Sequence, residues 1–200
     1  MISLSPPQTT RDINPEERKY LANRYKVTED SNHPYLVTCT IVNWWPVFIS
    51  KEYCDILSNS FNFLSEKRGL RIHAYVFMPT HIHAIISSET DTIPNLMRDF
   101  KRFTSHSIIE KAKELSHKNL SKLFQKAGEF SGQNNGKVWQ DEYHPKVISS
   151  GSMFEQKISY VHQNPVRKGL VYQDYDWVYS SASYYEKSNQ GVVNIYYLEW

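Results

Sequence analysis

"LRIHAYVFMPTHIHAIIS", residues 70–87, consists of two apolar runs parted by Pro79 and Thr80. Both runs are rich in β-branched and aromatic residues, and the short break between them predicts an antiparallel β-hairpin. The second run carries His81 and His83 one residue apart. Side chains alternate between faces along a strand, so these two imidazoles share a face while Ile82 points the other way. Two nitrogens on one face can hold one ion; the other reading is a pair of polar side chains set close to a core.

Outward from the hairpin, the pattern alternates. "YLVTCTIVNW" (35–44) reads as a strand, and "SKEYCDILSNSFNFLSEKRG" (50–69) places Tyr53, Ile56, Leu57, Phe61 and Leu64 at helical spacing. Ser50 is its candidate N-cap, and Gly69 after Lys67 and Arg68 its stop. Beyond the hairpin, Ile93, Leu96, Met97, Phe100, Ser107, Ile108 and Leu115 keep helical periodicity from Thr92 onward. Residues 116–137 read as a flexible loop. "VWQDEYHPKVIS" (138–149) reads as an edge strand interrupted by Pro145, and "MFEQKISYVHQN" (153–164) as a third helix stopped by Pro165.

The order β, α, β, β, α, β, α predicts an α+β fold. Its first six elements fit the ferredoxin-like split βαβ pattern: an antiparallel four-stranded sheet with two helices on one face and the other face left for a site. A polar, proline-bearing arm spans residues 1–33, a single domain residues 34–185, and a tail residues 186–200; the stretch from Gly169 onward reads as an irregular extension.

Composition narrows the function classes. The 200 residues carry 23 Lys and Arg against 21 Asp and Glu, a net charge of +2, so contact with nucleic acid must rest on local clusters. Cys39 and Cys54 form no C-x-x-C pair, which speaks against thiolate zinc and for a reduced compartment. Neither G-x-G-x-x-G nor G-x-x-x-x-G-K-[ST] occurs, which disfavours dinucleotide and P-loop sites. The N-terminus has no apolar signal-like core and no run approaches the roughly 20 apolar residues of a membrane span, so a cytoplasmic protein with no membrane partner is expected.

On the third helix Phe154, Ile158 and Val161 form a narrow apolar stripe, while Tyr160 and Asn164, four apart, fall on a different side with Lys157 between them. His162 points away from that side. Together with the strand histidines this face proposes a metal held by His81, His83 and a weaker amide oxygen of Asn164, beside a tyrosine hydroxyl. An imidazole pair suits Mn²⁺ or Zn²⁺ on softness alone, whereas phosphate and water oxygens shift the balance toward Mg²⁺. His73 and His144 read as structural, and His106 and His117 as exposed.

"HIH" after "YVFMPT", followed far downstream by "YVHQNPVRKGLV", resembles the HUH-type single-tyrosine transposases (IS200-like). Within them the chain is most similar to REP-associated tyrosine transposases, a likeness that "VWQDEYHPKVI" and "WVYSS" share and that spans roughly residues 35–185. The resemblance implies that the third helix bears the nucleophile. Tyr160 would attack a phosphodiester of single-stranded DNA, leaving a 5′-phosphotyrosine link and a free 3′-OH, with Mg²⁺ or Mn²⁺ as cofactor. It also implies hairpin-forming repeats as DNA partners and admits a site shared across a homodimer.

DNA contact needs cations. Between residues 98 and 122 lie Arg98, Lys101, Arg102, Lys111, Lys113, Lys118 and Lys122 against three acids, and Lys157, Arg167 and Lys168 form a second cluster without an intervening acid after residue 157. Arg98, Lys101, Arg102, Lys157, Arg167 and Lys168 are the candidate DNA-binding residues. The rival reading is a non-catalytic module that binds single-stranded nucleic acid, such as a domesticated transposase acting as a regulator; such a module needs no His, His, Tyr, Asn set. A histidine phosphoesterase fits less well, because the position of a third alternating histidine is Ile85.

Overall fold

The computed structural model describes residues 33–132, 135–141 and 145–199. The expected N-terminal arm and the structural role expected of His144 therefore fall, almost wholly, outside the described residues.

Strand β1 (Tyr35–Thr40) is followed by helix α1 (Lys51–Arg68), then by the hairpin β2 (Leu70–Met78) and β3 (His81–Ser88). Helices α2 (Ile93–Glu114) and α3 (Lys118–Phe130) come next, then β4 (Lys146–Val147), α4 (Gly151–His162), α5 (Asn164–Arg167) and α6 (Ala182–Lys187). The four strands form one antiparallel sheet in the order β2-β3-β1-β4. This is the ferredoxin-like split βαβ arrangement that the element order predicts.

The two faces of the sheet follow from the alternation of β1. Tyr35, Val37, Cys39 and Ile41 join Tyr53, Leu57 and Phe61 of α1 and Leu96, Met97 and Phe100 of α2 in the larger core. Leu36, on the opposite face, packs with Ala74, Val76, Met78 and Ile85 against Phe154 and Val161 of α4. A register shift at Ile72/Ala74 leaves His73 unpaired with β3, and the alternation changes phase across it. Leu70 and Ile72 before the bulge thus share the larger core with Tyr75 and Phe77 after it. His73 is buried, with Nδ1 on the Tyr196 carbonyl and Nε2 on Ser87 Oγ, both at 2.8 Å, which is the structural role expected of it.

Helix ends follow local chemistry. Gly69 closes α1 at φ +67°, and a Cβ there would collide with Thr90 Oγ1, so both conformation and space require glycine. The Thr92 hydroxyl accepts from the Asn95 amide to cap α2, and the Ser150 hydroxyl accepts from the Met153 amide to cap α4.

Three expectations change. The stretch read as a loop at 116–137 holds α3, whose Leu120 and Phe124 are buried with Leu123 and Ala127 packed against the core. The fourth strand is reduced to two residues paired with Tyr35 and Leu36, plus an isolated bridge between Ile41 and Trp139. Pro165 does not stop the third helix: it sits in the first turn of α5, where its missing N–H has no intrahelical partner to lose. The segment after Gly169 runs along the free edge of β2, with the Phe77 amide donating to the Tyr179 carbonyl and the Tyr196 amide to the Ile72 carbonyl. No helix among the described residues is long and apolar enough to cross a membrane.

Candidate active site

His81 and His83 point to the α4 face of the sheet, opposite α1 and α2. Their registers explain their surroundings: Thr40 pairs with His81 and Thr38 with His83. Thr38 Oγ1 lies 2.8 Å from His83 Nδ1, and Thr80 Oγ1 lies 2.9 Å from His81 Nδ1. An imidazole that donates Nδ1–H to a hydroxyl keeps its Nε2 lone pair for an ion. Burial, and then the neighbouring His81, push His83 down to about 3; burial, and then the Lys168 ammonium, lower His81. Both rings are thus neutral near pH 7, the form a metal requires.

The rings of His81 and His83 lie 4.9 Å apart between centroids. Tyr160 reaches the same place from α4, its ring edge-on to His83 at 5.3 Å. The Arg167 guanidinium carbon stands 5.7 Å from the centroid of the Tyr160 ring. Tyr160 is half-buried and packs on the smaller core without joining the fully buried stripe of Phe154 and Val161. His162, set aside from the sequence, is buried elsewhere with Nε2 at 2.8 Å from Ser181 Oγ.

Asn164 is buried, and its Nδ2 donates to the Tyr160 carbonyl at 2.7 Å. The amide therefore folds back along the helix, where the sequence had suggested that a helix stop would let it reach out. Its Oδ1 makes no hydrogen bond among the described residues. No group of three or more His, Cys, Asp or Glu gathers among those residues, so an ion on the two imidazoles would complete its shell with amide, water or substrate oxygens. That donor set fits a divalent ion that works on phosphate.

The basic residues divide. Arg167 and Lys168 are exposed beside the Tyr160 and His81 rings, and Lys157 is half-buried on α4. Arg98, Lys101 and Arg102 belong to α2, in the layer on the other face of the sheet. There they line a groove of about 1170 Å³ with α3 and residues 135–141. Arg98 and Arg102 are exposed, whereas Lys101 Nζ donates to the Gln140 carbonyl at 2.8 Å and its burial lowers its pKa. Thr38, Thr80 and Trp44, whose ring lies 5.9 Å from His81, escaped the sequence reading. Their proximity depends on strand register and on a loop conformation that no local pattern encodes.

No curated protein sequence matches the chain significantly. Among solved structures, a REP-associated tyrosine transposase bound to a REP hairpin is 18% identical with a TM-score of 0.57, covering 82% of this chain and 86% of its own. A putative transposase from Deinococcus radiodurans R1 is 16% identical with a TM-score of 0.42, covering 64% of this chain and 90% of its own. The family model described as "Transposase IS200 like" matches residues 41–164, more than half of the chain and a span that runs from the end of β1 through both histidines to Asn164. By that match the chain belongs to the IS200-like transposase family.

Proposed function

We propose that this transposase nicks and rejoins single-stranded DNA through a phosphotyrosine link at Tyr160. The observation that carries the reading is the edge-on approach of Tyr160 to His83, 5.3 Å between centroids, with His81 4.9 Å beyond. The phenolic oxygen forms a bond to phosphorus as the bond from phosphorus to the 3′ oxygen breaks. The phenol gives up a proton and the departing 3′ oxygen gains one. One phosphodiester becomes another, so the step is reversible and needs neither water nor a nucleotide.

His81 and His83, with Asn164 Oδ1 as the weaker third donor, would hold Mg²⁺ or Mn²⁺, which supplies Lewis-acid polarisation of the scissile phosphate when bound. Thr38 and Thr80 fix the imidazoles. The Arg167 guanidinium beside the Tyr160 ring would pair with the phosphate that the hydroxyl attacks. Arg167, Lys168 and Lys157 face the phosphates flanking that point, while Arg98 and Arg102 offer a second track on the helical face, with Lys101 shaping its wall. The fold likeness to a transposase that holds a REP hairpin supports hairpin-bearing DNA as the partner. A homodimer sharing Tyr160 between protomers is compatible with this reading.

The experiment is direct. Labelled single strands from the DNA flanking the gene are incubated with the protein and Mg²⁺ or Mn²⁺, and a covalent protein–DNA band is sought. A nick without attached protein would indicate a water nucleophile; binding with neither would indicate a regulator.

A further inference from the structure

The loop after β1 carries an unusual tryptophan. Asn43 has φ +54° and Trp44 φ +55°, two successive residues in the left-handed region. Asparagine tolerates that conformation, but a bulky residue does so only when its surroundings impose it. The surroundings do: the Val42 amide donates to the Val138 carbonyl at 2.9 Å, the Trp44 amide to Ile41 at 3.0 Å, and Val47 to Trp45 at 2.9 Å. Farther along, Phe48 donates to the Pro79 carbonyl, tying the loop to the turn that leads into His81. All this order presents an indole that is 59% exposed. Burial of apolar surface is therefore not what the strain secures.

The position of that indole suggests its use. Its ring meets His81 at 5.9 Å and 73°, so its remaining surface opens at the mouth of the histidine site. Trp45 follows at 43% exposure with extended backbone, widening the aromatic surface. At the same site stand exposed Arg167 and Lys168, beside the Tyr160 and His81 rings, which suit the sugar-phosphate side of a strand. An exposed aromatic face at a site that also carries cations is the arrangement that holds unpaired nucleotides: each base stacks on a ring while the phosphates meet charge. Duplex bases, already stacked, cannot use it.

Resting on the function proposed above, we infer that Trp44 is a positioning residue: a stacking platform for one unpaired base beside the scissile phosphate, which fixes where along the strand Tyr160 acts. Strain held in the loop keeps the platform preorganised.

The test uses the full chain and begins by mapping the phosphate to which the wild-type protein attaches on a flanking single strand. Binding is then measured in chelator on the intact strand and on strands with one abasic site walked across that point. Trp44→Ala should weaken binding to the intact strand by roughly fivefold or more, the scale of one lost base stack, and Trp44→Phe should restore most of it. One abasic position next to the mapped phosphate should weaken the wild type as much, and should cost Trp44→Ala nothing further. Thermal melting of Trp44→Gly should show no loss of stability, since glycine adopts the left-handed backbone freely.

Equal binding of Trp44→Ala and wild type to the intact strand would overturn the inference. So would losses that simply add at every abasic position, or a change confined to oligomeric state. If the wild type attaches to no strand, the nicking reaction fails separately. The same comparison on a 20-nucleotide oligothymidylate then decides: a loss specific to Trp44→Ala keeps the platform, and no loss removes it.

Discussion

Thr38 and His83 face each other across the β1–β3 ladder, and the threonine hydroxyl lies 2.8 Å from the imidazole Nδ1. The same contact recurs at His81, supplied by Thr80 in the turn just before it. Each ring is thus fixed from behind by a hydroxyl, which leaves the opposite nitrogen for a ligand.

Removal of those hydroxyls should loosen metal binding without disturbing the sheet. Thr38→Val keeps shape and β-propensity, so the fold should persist, while Mn²⁺ affinity falls by about 10–100-fold, the usual effect of losing a group that orients a ligand. Thr80→Val should act in the same direction. Calorimetric titration measures both, and unchanged affinity in the pair would show that packing alone orients the rings.

The histidine pair was legible because a strand has a period of two, and Tyr160 with Asn164 because a helix places i and i+4 together. What fixes them was not. Thr38 and Thr80 matter through pairing register, and Trp44 through a left-handed loop, both set by contacts distant in sequence. Helix α3 had a signal, since Leu120, Leu123, Phe124 and Ala127 follow helical spacing; the Gly and Asn residues after it pulled the reading toward a loop. Pro165 reads as a breaker because a proline early in a new helix looks the same in sequence as one that ends the old.

The phosphate track on α2 makes a salt prediction. Arg98 and Arg102 are exposed, whereas Lys101 already donates to a backbone carbonyl. Arg98→Ala with Arg102→Ala should lower the slope of log affinity against log salt by about 1.4 on single strands, at roughly 0.7 per lost phosphate contact. Lys101→Ala should leave that slope unchanged. If the double variant keeps the wild-type slope, the groove is a solvated surface and the strand lies only on the Arg167 face.

Acid should unfold the protein through buried imidazoles. Burial holds His73 and His162 each at about 4, below the ordinary 6.5, so below pH 6.5 the unfolded chain binds protons that the folded chain refuses. Their contribution is fully present above pH 6.5 and is lost as pH falls from there toward 4. Between pH 6.5 and 5 the loss should be on the order of 1–2 kcal/mol for each group. Urea unfolding across that range checks it, and a His162→Gln variant should show a shallower dependence on pH; an identical dependence would clear His162 of the effect.

The proposed reaction turns on one bond, between the Tyr160 hydroxyl and DNA. Phenylalanine keeps the ring against His83 and beneath Arg167 while removing that oxygen alone. The decisive measurement is the covalent protein–DNA band formed on a labelled flanking strand with Mn²⁺, in wild type and Tyr160→Phe side by side, with binding measured on both. Wild type should form the band, and Tyr160→Phe should bind the strand with near-normal affinity yet form no band and no nick. A Tyr160→Phe protein that still became covalently linked to DNA would overturn the assignment of Tyr160 and move the nucleophile to another tyrosine, Tyr172 being the most exposed of those described.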